Sequence, residues 1–273
     1  MQLGEVVRFC ESLWPAAGAE DWDVVGLVSG SLSQDIKKVM LTVDVTAEVV
    51  AEAKSQKVDL ILSHHPFLLR GITNVYEESA KGSIIRELIR SDIALFTAHT
   101  NSDSQPTGTS VALATALGIQ ELAPLATSET AFGIGVIGSI KTTMGDLALK
   151  LNEVLPATAT GVRVAGDYAQ EISKVALCAG AGDSYLQLAL DSDADVYITS
   201  DLRHHPAQEI LEQAKARSKH FGLIDISHWA AEYIWLEQAK RELASTGLEI
   251  TICDLRTDVF DFLVNVPRGT NEN

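Results

Sequence analysis

Six of the seven histidines in this 273-residue chain fall at or just beyond segments that read as β-strands. His64 and His65 follow VDLILS (58–63), His99 closes IALFTAH (93–99), His204 and His205 follow VYITSDLR (196–203), and His228 follows GLIDIS (222–227). Only His220 stands apart. In open α/β sheets ligands gather beyond the carboxyl ends of the strands, so this is where a site is expected. Neighbouring strand residues point to opposite faces, and an adjacent His pair on a flat strand cannot chelate one ion. At a strand exit the chain can bend, and Pro66 keeps His65 extended. Two imidazoles splayed this way suit two neighbouring metals, or a metal and a substrate.

The next strand end carries His99-Thr100-Asn101-Ser102-Asp103, in which Asp103 offers a hard oxygen ligand while Thr100 and Asn101 suit supporting hydrogen bonds or a turn. His228 and Glu232 are four apart at the start of a helix, on one face and about one turn from each other. The helix N-terminal dipole opposes a cation there, so the carboxylate must compensate. His64, His65, Asp103, His228 and Glu232 thus form a candidate metal-ligand set of three imidazoles and two carboxylates. A mixed N/O set selects Zn, Fe, Mn, Co or Ni over Ca or Mg. Glu232 is placed to bridge two divalent transition-metal ions, and a pair about 3.5–4 Å apart activates water for hydrolysis. His99 and His205 are candidate proton shuttles, and Asn101 and His204 candidates to face the substrate or support the ligands. Two further stretches are read structurally: Gly180-Ala-Gly-Asp-Ser184 as a tight turn, and Glu20-Asp-Trp-Asp23 as loop packing.

The elements that must position these groups alternate. Lys38–Thr46, Val58–Ser63 and Ile93–Thr100 read as strands, with helices after the Thr46 cap, through KGSIIRELIRS (81–91) and from Ser110. A Ser/Thr/Ala stretch (125–131) precedes a second series. Its strands are expected near 133–140, 172–178, 195–200, 222–227 and 248–253, and its helices at 144–155, through 190, at 206–216 and at 229–244. This rhythm predicts an α/β fold of two αβα-type lobes around mainly parallel or mixed sheets. The lobes are expected as 1–126 plus 228–273, carrying the metal ligands, and 127–227.

Composition narrows the function. A formal net charge of −16 and no basic run weigh against nucleic-acid binding, which rests on Lys and Arg displacing counterions. The 46% hydrophobic content excludes a disordered chain. No apolar run reaches membrane-spanning length, and MQLGEVVRFCESLW lacks the pattern of a signal peptide, which leads to an expected cytoplasmic location without a membrane partner. Three widely separated cysteines (Cys10, Cys178, Cys253) read as buried reduced thiols.

Several segments together resemble the Nif-three-like (YbgI-type) proteins, labelled GTP cyclohydrolase I type 2 homologues: EDWDVVGLVSG (20–30), VMLTVDVT (39–46), DLILSHHPFLLRG (59–71), TAHTNSD (97–103), VALCAGAGDS (175–184), DVYITSDLRHHPA (195–207) and LIDISHWAAE (223–232). The resemblance implies a two-lobed α/β protein whose C-terminal segment returns to the first lobe, a dinuclear metal centre, and toroidal homohexamers built from dimers. It carries the ligand role onto His64, His65, Asp103, His228 and Glu232, all intact. The chain departs from the family at Val24, where Asn is usual, and at Thr107–Val111. The expected function is a metal-dependent hydrolase acting on a small nucleotide-like or heterocyclic substrate; the alternative is a non-catalytic protein of metal storage, delivery or assembly.

Overall fold

The computed structural model describes residues 1–128 and 131–264. Its strands are β1 (Gly26–Ser29), β2 (Lys38–Thr42), β3 (Leu60–Ser63), β4 (Ala94–Thr97), β5 (Gln120–Thr127), β6 (Gly133–Thr143), β7 (Arg163–Ala165), β8 (Glu171–Ala181), β9 (Val196–Ser200), β10 (Gly222–Ile226) and β11 (Glu249–Ile252). The α-helices are α1 (Leu3–Leu13), α2 (Ala47–Ser55), α3 (Ala80–Arg90), the single turn α4 (Thr100–Asp103), α5 (Thr109–Leu117), α6 (Met144–Val154), α7 (Leu186–Asp191), α8 (His204–Ala216) and α9 (His228–Leu243).

These elements build two mixed sheets. The first has the order β1-β4-β3-β2-β11, with β1 antiparallel and the other pairings parallel. The second runs β5-β6-β8-β9-β10-β7, parallel only from β8 to β10. Strands β2, β3 and β4 are apolar runs buried on both faces, as parallel strands covered by helices must be. Strand β5 pairs with β6 and so lies in the second sheet, ahead of the division expected at 126/127. Its sequence, QELAPLAT, carries a proline and faces solvent along much of its length, which fits an edge strand and hides it from periodicity.

Helices α2 and α3 cover one face of the first sheet, where Val49, Val50 and Leu88 pack with Met40, Ile61 and Leu95. On the other face Leu3, Val6 and Trp14 meet Trp235, Leu236 and Ala239 of α9. The same helix turns Ala231 and Ile234 toward the core of the second sheet. It is therefore held by two cores at once, and both sheets fix the position of its first turn. Ser227 caps that turn by accepting a hydrogen bond from the backbone N–H of Ala230. Trp14 and Trp235 meet edge to face, ring centroids 5.4 Å apart, and Trp235 in turn packs against the His64 ring.

Candidate metal centre

The strand exits do bend. The backbone N–H groups of His64 and His65 donate to the carbonyls of Thr42 and Val43, and Ser63 Oγ donates to the His65 carbonyl. This draws the segment after β3 across the end of β2 and brings both rings to one side, centroids 5.3 Å apart. Each ring is then locked through Nδ1. His64 Nδ1 donates to the Ala98 carbonyl at 2.9 Å, His65 Nδ1 to Asp44 Oδ1 at 2.7 Å, His228 Nδ1 to Asp201 Oδ2 at 2.7 Å, and His99 Nδ1 to Asp23 Oδ1 at 2.9 Å. A carbonyl or carboxylate oxygen can only accept, so the proton sits on Nδ1 and Nε2 is the atom left to bind something.

Three of those Nε2 atoms gather around Glu232. His65 Nε2 lies 2.8 Å from Oε2, His228 Nε2 lies 2.9 Å from Oε1, and His64 Nε2 lies 3.5 Å from Oε1. Asp103 Oδ1 stands 3.7 Å from His64 Nε2 and accepts a hydrogen bond from Thr109 Oγ1 at 2.5 Å. Two donor groups have all their atoms within 4.8 Å of one another: His64, His65 and His99, and His65, His228 and Glu232. The cluster could therefore hold a metal ion.

Hydrogen bonding points the same way. His64 Nε2 and Glu232 Oε2 are buried and make no hydrogen bond, the latter despite its closeness to the poorly aligned His65. Leaving a buried polar atom unpaired costs about 1–3 kcal/mol. His65 Nε2 and His228 Nε2 face each other at 3.2 Å, where two neutral lone pairs would repel. A cation among these atoms answers all three problems, so the residues present fit a divalent metal.

The charges of the cluster support one another. Burial works against the charge of Glu232, yet the fields of His228, His65 and His64 hold its carboxyl well below the usual range. Burial also opposes charge on His65 and His228, but Glu232 and their aspartate partners outweigh it and raise them to about 10 and about 11. Burial pushes Asp103 up, against the fields of His64 and His99. Protons and divalent cations compete here, because imidazole binds a metal only in its neutral form.

Some residues marked in the sequence are not brought to this cluster. His204 and His205 occupy the exposed first turn of α8, and neither lines the cavity beside Glu232. Within the single chain the structure therefore does not bring His205, expected as a proton shuttle, or His204, expected to face the substrate or support the ligands, to that cavity. Asn101 is also corrected as a substrate-facing group. It is buried, its Oδ1 accepting from the His99 backbone N–H and its Nδ2 donating to the Trp14 carbonyl. His99 does line the cavity, and Val24 lies exposed.

Other functional residues carry no local motif. Asp23, Asp44 and Asp201 each hold a histidine ring, and the one available signal is an aspartate at or near a strand end. The 20–23 stretch is more than packing: Asp23 holds His99, and Trp22 lies at the cavity with 58% of its surface exposed. Nor is Gly180 only a turn residue. Its φ is +80°, and a Cβ there would come within 2.5 Å of Glu232 Oε1, so only glycine lets the end of β8 approach the cluster. All three cysteines are free and buried.

A two-sheet α/β protein with three tethered imidazoles around a buried carboxylate, and a fourth beside them, is the class this fold and site define. The chain belongs to the Duf34/NIF3 (NGG1p interacting factor 3) family, whose model matches residues 1–259. A Streptomyces coelicolor protein named GTP cyclohydrolase 1 type 2 homolog is 40% identical over 248 residues, covering 89% of this chain and 85% of that protein. Among solved structures, a Bacillus cereus protein related to NIF3 superposes with a TM-score of 0.85 at 22% identity, covering 96% of this chain and 99% of that one. A Staphylococcus aureus protein gives 0.84 at 27% identity, with coverage of 96% and 99%. Among the described residues no helix is long and apolar enough to cross a membrane.

Proposed function

We propose that this chain binds two divalent transition-metal ions through His64, His65, Asp103, His228 and Glu232 and hydrolyses a small nucleotide-like or heterocyclic substrate. The observation that carries the reading is the convergence of Nδ1-tethered imidazoles on Glu232, with His64 Nε2 and Glu232 Oε2 buried and unpaired. Divalent ions bound there would act as Lewis acids and bring the pKa of water from about 15.7 toward about 7. The chain's own groups supply the rest. Glu232, which the imidazoles of His64, His65 and His228 all approach, would be the ligand shared by the ions. His99, fixed by Asp23, presents Nε2 to the cavity and can hold or deliver a proton there.

A cavity of about 470 Å³ opens onto Glu232 and His99, large enough for a small ring compound, and it favours catalysis over metal storage or delivery. The same reading includes assembly into a homohexamer. Val259, Phe260, Phe262 and Leu263, exposed near the end of the described chain, give apolar surface to such contacts. Light scattering tests this: a monomer at micromolar concentration would overturn it. For the metal, mass spectrometry should find close to two ions per chain in the native protein and fewer than one in Glu232→Ala. Native protein that stays metal-free after exposure to Zn, Mn, Fe, Co and Ni would refute the assignment.

A further inference from the structure

The name carried by the Streptomyces coelicolor relative points to a nucleoside triphosphate, but the charges around the cavity do not suit one. Among the described residues that line it there is no Lys or Arg. Carboxylates surround the histidine cluster instead. Asp103 and Glu232 lie within it, Asp23, Asp44 and Asp201 hold its rings, and Glu20 lies on the cavity wall. These carboxylates together outweigh the charge that two divalent ions bring, so the loaded site would remain net negative. A triphosphate carries about four more negative charges into a confined space where screening is weak. Proteins that bind phosphate tails supply Lys, Arg, a cradle of backbone N–H groups or divalent ions; here the ions alone would do so, with no Lys or Arg beside them to offset the surrounding carboxylates.

The remaining wall of the cavity suits a flat, weakly polar molecule. Trp22 is the exposed aromatic at its edge, meeting His99 edge to face at 5.8 Å, and Pro66, Leu69, Ile134 and Tyr185 complete an apolar lining. An indole with more than half of its surface exposed offers a stacking surface for a conjugated ring. Ser110 and Ser184 lie among these groups and can hydrogen-bond ring edges. A second cavity, of about 300 Å³, lies beyond His65 and His228 and does contain an arginine. That Arg163 is engaged by Asp225, its Nε donating at 2.9 Å, and its neighbours Asp44, Asp201 and Asp258 keep that side acidic too.

We propose that the site takes a phosphate-free, uncharged or cationic planar heterocycle, stacked on Trp22, and discriminates against the corresponding nucleoside triphosphate. The inference rests on the metal-dependent reading for the charge of the loaded site, whereas stacking on Trp22 does not need the metals. The test is a fluorescence titration of the full chain with guanosine, pterin and GTP, on zinc-loaded and metal-free protein, with metal content counted before and after. Guanosine or pterin should quench the emission, bind at least tenfold more tightly than GTP, and lose at least tenfold in affinity in Trp22→Ala while that variant keeps its metal. GTP binding tenfold more tightly than both ring compounds would overturn the proposal, whether or not Arg163→Gln removes the preference. So would the absence of ring binding in protein that carries its two ions. A metal count of zero would refute the metal-dependent reading alone; ring binding to that protein would still uphold stacking on Trp22, and its absence would overturn this proposal as well.

Discussion

The chain contains two His-His-Pro motifs, and they meet opposite fates. In the first, His64 directly follows the last residue of β3, is fully buried, and donates its Nδ1–H to the Ala98 carbonyl beyond β4. In the second, β9 ends at Ser200, and Asp201 turns the chain with a φ of +58°. Leu202 and Arg203 then intervene before His204, which opens α8 with His205 beside it, both in solvent. Each motif follows a central parallel strand, so position in the sheet does not separate them. Distance from the strand end does. A side chain directly past β3 is still within reach of the loops that follow β2 and β4, whereas by His204 the chain has already left the sheet. In the second sheet it is Asp201, the first residue after the strand, that reaches the site and holds His228.

The largest effect that would sharpen this contrast is expected from His64→Ala. It removes a buried ring that hydrogen-bonds Ala98 and offsets the charge of Glu232. We expect a loss of about 2–4 kcal/mol in urea denaturation and of at least one metal ion per chain by mass spectrometry. Asp201→Asn comes next. Asn tolerates the left-handed backbone, so the change isolates the negative charge behind His228. Metal affinity measured by chelator competition should fall about 10-fold, at the lower end of what such supporting residues contribute, with thermal stability little changed.

A smaller, pH-dependent effect is expected at Asp23. Burial opposes its charge, but hydrogen bonds from His99 and Thr100 and the field of His99 lower it from the usual 3.8 to about 2. A depressed folded-state pKa adds stability that is present above the unfolded value and is lost as pH falls through the folded one. Asp23→Asn should therefore be less stable by about 1 kcal/mol at pH 7. In urea titrations the gap should narrow below about pH 4 and close near about pH 2; a gap that widens with acid would contradict this account. The smallest effect belongs to the double variant His204→Ala, His205→Ala: less than about 0.5 kcal/mol, with unchanged metal content. A loss of metal in that variant would erase the difference between the two motifs.

Much of the site is legible in the sequence because its motifs are local. SHHP at a strand exit, Asp103 shortly after His99, and an i, i+4 His–Glu pair opening a helix each state their chemistry within a few residues. The alternation of strands and helices is legible too, because buried parallel strands are short apolar runs and Thr46 is a recognisable cap. Edge elements are not. Strands β1 and β7 are short and only partly buried or exposed, and β5 carries Pro124, so none shows a clear period.

The sequence by itself determined which donor types exist and that each would emerge at or near a strand or helix end. Tertiary structure decided which of them meet. Asp23, Asp44 and Asp201 are 76, 21 and 27 residues from the rings they hold, and nothing local links those partners. Gly180 comes against Glu232 only because β8 of one sheet ends beside the helix that both cores hold. The physical reason is that a hydrogen bond or a ligand contact requires a few ångströms in space, and for residues this far apart in the chain that distance is set by how sheets and helices bury their apolar faces.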